Sequence, residues 1–444
     1  MLPFTDSAIA EIGQEAARAA WAGGMTVHRP GGEVVEIPLV AEPEVFPREA
    51  LDALASEARA LCSGAVKLAR ALLAGGDARD REALLGPFEG LEAEAMARLL
   101  DEAPCPAVYV RVDFLRGEDG RPRALELNAT IPAMTGYADL ATHAWVRAAA
   151  RARGMTPRRA GELVAACGSR MEQLRESLLS FYRARGGTRA RPSIALVARP
   201  GDAQLGELRR VAEHFRQMGH EAANLLPTEC DPDAWEILYR HVWAHNTPPD
   251  SPFARALRAP ARWVLANPVN GMLEAKALFA RLSECADDPD LARRAGLDAA
   301  ELSAARRLPC TRRLDEEVAR RVVAERPRWV LKRSWDYGGK SVHLGTELDD
   351  EAWRRVVEQA LGDPRGGGFV AQERVVAARR PATRITPGAV ERTRLHRDVS
   401  TYTGLGPFVP GGSVVRAAAS PVVNILGGGG LAPVVPQDVL DELA

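Results

Sequence analysis

The sequence predicts an α/β (α+β) protein of two to three domains, and three observations carry that expectation. Its 444 residues exceed what one ordinary core organises. Apolar residues recur at three and four spacing through the first hundred positions, as in LDALASEARALCSGAVKLARALL, which is the helical period. Short alternating or continuous apolar runs, the mark of strands, take over in later stretches.

Taken in order, the pattern from Ala8 to about Leu100 is helical, interrupted by the strand-like GGEVVEIPLV, so residues 1–100 are expected to form a helical N-terminal region. Two alternating runs follow, AVYVRVDFL and RPRALELNA, joined by GEDG, which predicts a β-hairpin within residues 101–150. A second helical stretch runs from about Leu140 to about Arg185 and ends in the basic RARGGTRARP, a domain boundary by composition. SIALVARP, ELRRVAEHFRQMG, EAANLLP and EILYRHVWA give a β-α-β-β order, predicting a small parallel-sheet domain over 186–265. GDAQLG after its first strand falls short of GxGxxG, so dinucleotide binding is not expected there. Residues 266–444 are strand-rich again, through WVLKRS, GKSVHLG and FVAQERVV, and the consecutive glycines Gly427 to Gly430 suit a mobile loop.

Composition narrows the function classes. Hydrophobic residues make up 46% and charged residues 26%, the profile of a folded chain. Lys and Arg total 58 against 59 Asp and Glu, so no global field draws the chain to nucleic acid or to an anionic membrane, and a charged ligand must be met locally. The start, MLPFTDSAIAEIGQEAARAAW, lacks a basic segment followed by an apolar one, and no stretch approaches the roughly eighteen apolar residues of a membrane span. A cytoplasmic location is expected, and a homodimer is left open. Six cysteines (Cys62, Cys105, Cys167, Cys230, Cys285, Cys310) lie far apart with no CxxC pair, so they are expected to be buried or idle thiols.

Chemistry concentrates in three places. Side chains on a strand alternate faces, so Arg111 and Asp113 share one face of the first hairpin strand while Val110, Val112 and Phe114 take the other. If the turn sets Asp113 opposite Glu126, then Arg111 lies opposite Asn128 and all four polar groups meet on one face. Adjacent carboxylates call for a proton, an arginine or a cation between them, and oxygen ligands suit a hard divalent ion. A surface hairpin with cross-strand ion pairs accounts for the same residues. In VLKRSWDYGGKSVHLG a strand delivers Lys332, and Gly338 with Gly339 lets backbone N–H groups approach phosphate oxygens, with Lys340 a further cation. The spacing is not that of a P-loop, and a plain hairpin turn is the alternative. Asp336 in that loop fits a metal ligand better than a phosphate neighbour. Arg416 precedes the four glycines in a strand-like run, where its guanidinium suits a carboxylate or phosphoryl group, or simply the surface.

Together these pieces resemble the circularly permuted ATP-grasp enzymes, the group of eukaryotic-type glutathione synthetase, the glutathionylspermidine synthetases and uncharacterised bacterial proteins. Order carries the likeness: ordinary ATP-grasp chains place the grasping lysine and glycine loop before the metal-binding acid and E-x-N. Here RVD and ELN precede LKRSWDYGGK by about two hundred residues. The resemblance spans the hairpin around 108–137 and most of 262–436. It implies a circularly permuted ATP-grasp fold, with the 186–265 segment as an inserted substrate domain and 266–444 as nucleotide-binding lid and C-terminal core. It further implies ATP with magnesium held by Asp113, Glu126, Asn128 and Asp336. Lys276, in ANPVNGMLEAKALFARL, and Lys332 would reach the phosphates, with Gly338, Gly339 and Lys340 in the lid. Gln372, Glu373 and Val375 of FVAQERVV would read adenine, and Arg111 and Arg416 would stand at the reacting centre. An aspartate replaces the usual glutamate in the lid, and the loop after Arg416 is glycine-rich, so glutathione is not implied as product. The implied activity is carboxylate–amine ligation through an acyl phosphate, with small-molecule or peptide substrates. An ATP-dependent phosphotransferase using the same site, or a non-catalytic nucleotide-binding or scaffold protein, is the alternative.

Overall fold

A computed structural model describes residues 3–29, 31–102, 105–336 and 338–444, the side chains of residues 97–102 excepted. Met1, Leu2, Pro30, residues 103–104 ahead of the hairpin and Tyr337 of the glycine loop lie outside the described residues.

Its centre is a seven-stranded sheet in the order Arg380–Thr386, Leu39–Val40, Gly430–Ala432, Ser413–Ala418, Ala389–Thr403, Val110–Arg116, Pro122–Asn128. Neighbours are antiparallel except Gly430–Ala432 beside Leu39–Val40. Strand Arg380–Thr386 also pairs with Ala389–Thr403, so one end of the sheet curls back on itself. Alternation sends Val110, Val112 and Phe114 into an apolar cluster with Leu54, Leu61 and Leu68 of helix Arg48–Ala74. On the far side, Tyr402, Val414 and Leu431 join Trp145 of helix Thr135–Ala152 and Ile9 and Ile12 of helix Asp6–Ala22. The Trp145 indole N–H, buried there, donates to Ala41 O at 2.8 Å, so its burial leaves no orphan donor.

A four-stranded parallel sheet follows in the order Leu265–Ala266, Ile237–His241, Ile194–Ala198, Ala222–Leu225, with helix Leu205–Gln217 as its first crossover. Every residue of Ile194–Ala198 and Ile237–His241 is buried, which explains why the first of these reads as a continuous apolar run rather than an alternating one.

The third sheet is antiparallel, in the order Thr311–Arg313, Phe369–Glu373, Trp329–Arg333, Val342–Leu344. One face packs Trp329, Leu331, Phe369 and Ala371 against Val322 of helix Glu316–Ala324 and Trp353 and Val357 of helix Asp350–Leu361. Period-two alternation therefore presents Val330, Lys332 and Gln372 on the opposite face. Asp315 and Asp349 cap these two helices by accepting from Val318 and Ala352 N–H, each cap worth about 1 kcal/mol.

The strand-like GGEVVEIPLV that interrupts the N-terminal helices supplies Val34–Glu36, antiparallel to Thr26–His28, and Leu39–Val40, which joins the central sheet; beyond it, Glu44–Phe46 pairs with Val434–Pro436. Leu39–Val40 and Glu44–Phe46 are two or three residues long and find partners nearly four hundred positions away, a pairing that local periodicity cannot reveal. No helix among the described residues is long and apolar enough to cross a membrane. All six cysteines are free thiols; five are buried, and burial pushes Cys167 and Cys285 up to about 11.

Candidate active site

The hairpin sets its polar face by register. Arg111 pairs with Asn128 and Asp113 with Glu126, and the register then slips so that Phe114 pairs with Ala124. The extra residue, Leu125, is a bulge, and it lets the consecutive Leu125 and Glu126 both line the same cavity. Glu274 anchors the strand end after Asn128: its carboxylate accepts Ala129 N–H at 2.6 Å and also Thr130 N–H. Burial raises that carboxyl to about 7 despite the two donors.

Behind Glu126 runs a line of alternating charge. Arg111 grips Asp113 with Nε at 2.7 Å and Nη2 at 3.1 Å, and its Nη1 donates to Ala133 O at 2.8 Å. Arg416 Nη2 reaches Asp113 Oδ2 at 2.9 Å, and the same guanidinium also grips Asp398, its direct partner on the neighbouring strand. Burial alone would raise the Asp113 carboxyl, but the two guanidiniums outweigh it and hold Asp113 well below the usual carboxylate range. Asp398 is pushed up by burial, against the pull of Arg416.

The third sheet closes the opposite side. Lys332 Nζ donates to Gln372 Oε1 at 2.6 Å, and Gln372 Nε2 donates to Thr311 Oγ1 at 3.1 Å and to Leu125 O at 3.3 Å. Strand Phe369–Glu373 is thereby hydrogen-bonded to the hairpin bulge. Burial lowers Lys332 to about 8, which Glu126 and Asp113 only partly oppose. Lys276, at the start of helix Lys276–Glu284, donates to Asp336 O at 3.0 Å and lies 3.4 Å from Glu126. The loop bearing Gly338 and Gly339 rests on the segment after Arg416: Asn424 Nδ2 donates to Gly338 O at 2.7 Å. Ser341 donates to Asp336.

These elements enclose a cavity of about 230 Å³. Arg111, Asp113, Glu126, Asn128, Lys276, Lys332, Asp336, Gly338, Gly339, Lys340, Gln372, Glu373, Val375 and Arg416 all line it. Leu115, Leu125, Val330, Val342 and Leu344 supply apolar wall, while both signs of charge gather on the hairpin side. Two more lining residues, His396 and Asp398, escaped the sequence reading. The alternation in LHRDVSTYT carries the signal, since residues two apart share a strand face, but that run was not read as a strand. Gly427 to Gly430 do not line the cavity; Pro421 to Asn424 do. Close packing explains the shift: a Cβ on Gly430 would stand 2.6 Å from Pro38 O, and one on Gly429 equally near Asn424 O.

The hairpin side carries the oxygen atoms of Asp113, Glu126 and Asn128, the kind of donor that suits a hard divalent cation rather than a soft one. Asn128 Nδ2 is buried without a hydrogen-bond partner, and turning that amide would present its oxygen instead. Among the described residues, no group of three or more His, Cys, Asp or Glu is gathered tightly enough to hold a metal. The chain's own cations divide the carboxylates: Asp113 faces arginines, and Glu126 faces Lys276.

The chain is similar to the solved structure of a glutathione synthetase like-effector from Globodera pallida in its apo form. The match covers 98% of this chain and 99% of that one, with a TM-score of 0.60 and 13% identity. A structure from Methylobacillus flagellatus KT, provisionally described as a gamma-glutamylcysteine synthetase, aligns over 77% of this chain and 81% of its own, with a TM-score of 0.37 and 12% identity. No family model and no curated protein matches the sequence. The first likeness is one of fold alone: the chain shares that structure's mixed α/β architecture over nearly its whole length.

Proposed function

We propose that the chain is an ATP-dependent carboxylate–amine ligase whose ATP-grasp parts stand in circularly permuted order. The observation that carries this reading is the single cavity that faces two lysines and a glycine loop, from the lid side, onto an acid–asparagine hairpin and a fixed arginine. Each of these sets has another explanation alone; a nucleotide with its metal accounts for all of them in one place.

In this reading ATP lies between the lid sheet and the hairpin, with its base toward Gln372, Glu373 and Val375 and its phosphates toward Lys276 and Lys332. Gly338 and Gly339, both at positive φ, leave room for phosphate oxygens beside the backbone, with Lys340 alongside. Glu126, Asn128 and Asp336 are the most accessible oxygen donors for magnesium, and Asp113 joins them behind its arginines. Magnesium, when bound, neutralises charge on the phosphates. A substrate carboxylate oxygen attacks the γ-phosphorus, ADP leaves, and Arg111 and Arg416 hold the resulting acyl phosphate. An amine then attacks the acyl carbon, phosphate departs and the amine gives up a proton, leaving an amide. Closing the loop at 334–341 over the segment at 421–424 would keep water from the acyl phosphate.

The test is product analysis with magnesium, ATP and a panel of carboxylate and amine pairs. ADP release that requires both partners, with amide formed, supports ligation; a stable phosphorylated product instead identifies a phosphotransferase. Binding of no nucleotide overturns both and leaves a scaffold.

A further inference from the structure

Arg416 has more partners than an arginine needs to stay folded, and they are arranged around one edge of its guanidinium. Asp398 Oδ1 accepts the Arg416 backbone N–H at 3.2 Å and Nε at 3.1 Å, while Oδ2 accepts Nη2. Nη2 also donates to Asp113 Oδ2 at 2.9 Å. A carboxylate gripping Nε and Nη2 side-on fixes both the plane and the rotation of the guanidinium, because two parallel bonds leave no free torsion. The edge left without a protein partner among the described residues is Nη1, on a side chain that lines the cavity. Asp398 and Arg416 are direct cross-strand partners in the central sheet, so the backbone holds their separation as well.

We infer that Asp398 is a positioning residue: it orients Arg416 so that Nη1 meets an anionic oxygen in the cavity, the phosphoryl or carboxylate oxygen of the reacting group. Asp398 does not itself touch the anion. Its oxygens are spent on Arg416, and its charge, with that of Asp113, offsets the two guanidiniums of the quartet Arg111, Asp113, Arg416 and Asp398. The anion is therefore selected by the direction of a hydrogen bond more than by net charge. This rests on the proposed reading only for the identity of the anion; the orientation of Arg416 stands on the distances.

The experiment is calorimetric titration of the full chain with inorganic phosphate, first alone and then with saturating magnesium and ADP. Wild type is compared with Asp398→Asn, Arg416→Ala and the double variant. Losing one charge-assisted hydrogen bond predicts about tenfold weaker phosphate binding in Asp398→Asn. The double variant should bind no more weakly than Arg416→Ala, and the magnesium–ADP affinity of Asp398→Asn should match wild type. Unchanged phosphate affinity in Asp398→Asn or in Arg416→Ala, or a double variant that loses the product of the two single effects, overturns the inference. Should Asp398→Asn fail to fold, Arg416→Lys decides: it keeps the charge and loses the fork, so wild-type phosphate affinity there overturns the inference equally. Absence of magnesium–ADP binding in wild type, with the phosphate pattern intact, instead counts against the nucleotide reading.

Discussion

Asp113 and Glu126 are direct cross-strand neighbours, yet each carboxylate faces its own cation: Arg111 and Arg416 clamp Asp113, and Lys276 lies 3.4 Å from Glu126. The two carboxylates thus meet separate cations on one face. The pairing also separates two jobs, since Asp113 is buried behind its arginines whereas the Glu126 side chain is 34% exposed toward the cavity.

Removing Asp113 should accordingly be a stability event. Asp113→Ala leaves two buried guanidiniums facing each other, and breaking a buried pair from one side costs about 3–5 kcal/mol. A fall of that size should show as a lower urea midpoint, with Glu126→Ala close to wild type in the same assay. Equal midpoints for Asp113→Ala and wild type would contradict the clamp.

Lys332 should impose a pH dependence on nucleotide binding. Burial lowers it to about 8, so its charge is present below that value and lost above it. Magnesium-free ATP affinity should fall as pH rises through about 8, and Lys332→Arg, charged throughout, should flatten the profile. The stability sign is opposite. The unfolded lysine titrates near its ordinary 10.5, so between about 8 and 10.5 the unfolded chain binds the extra proton and Lys332 adds stability as pH rises. Calorimetric unfolding across that window, wild type against Lys332→Met, checks the second sign.

Gly339 should be intolerant of a side chain. It sits at φ +73, and a Cβ there would approach Val422 Cγ1 at 2.6 Å. Left-handed backbone alone costs a non-glycine residue about 1–2 kcal/mol, and the contact adds to it. Gly339→Ala should weaken ATP binding and speed proteolysis in the loop at 334–341. Gly388→Ala, where nothing lies within 4 Å, is the control that should change neither.

The hairpin was legible because its evidence is local: alternation and a short turn fix which residues share a face, and the pairings of Asp113 with Glu126 and Arg111 with Asn128 follow. The parallel sheet was legible for the same reason, its buried strands being short apolar runs between a helix and turns. Asp398 was not, because the LHRDVSTYT run was not read as a strand, and its pairing with Arg416 and the strand of Asp113 shows only in the assembled sheet. Leu39–Val40 lies within the strand-like GGEVVEIPLV, but its partners in the central sheet are distant in sequence and could not be read from it. Within the glycine run, Gly429 and Gly430 are set by close approach to backbone oxygens, a need that composition alone does not separate from mobility.

The most direct test of the nucleotide site is thermal unfolding of wild type and Glu126→Ala with ATP, with and without magnesium. A ligand bound only by the folded chain at roughly one hundred times its Kd stabilises by about 2.7 kcal/mol. A magnesium-dependent rise in Tm for wild type that disappears in Glu126→Ala is the predicted result. No rise with ATP, or an equal rise in both proteins, would contradict the assignment.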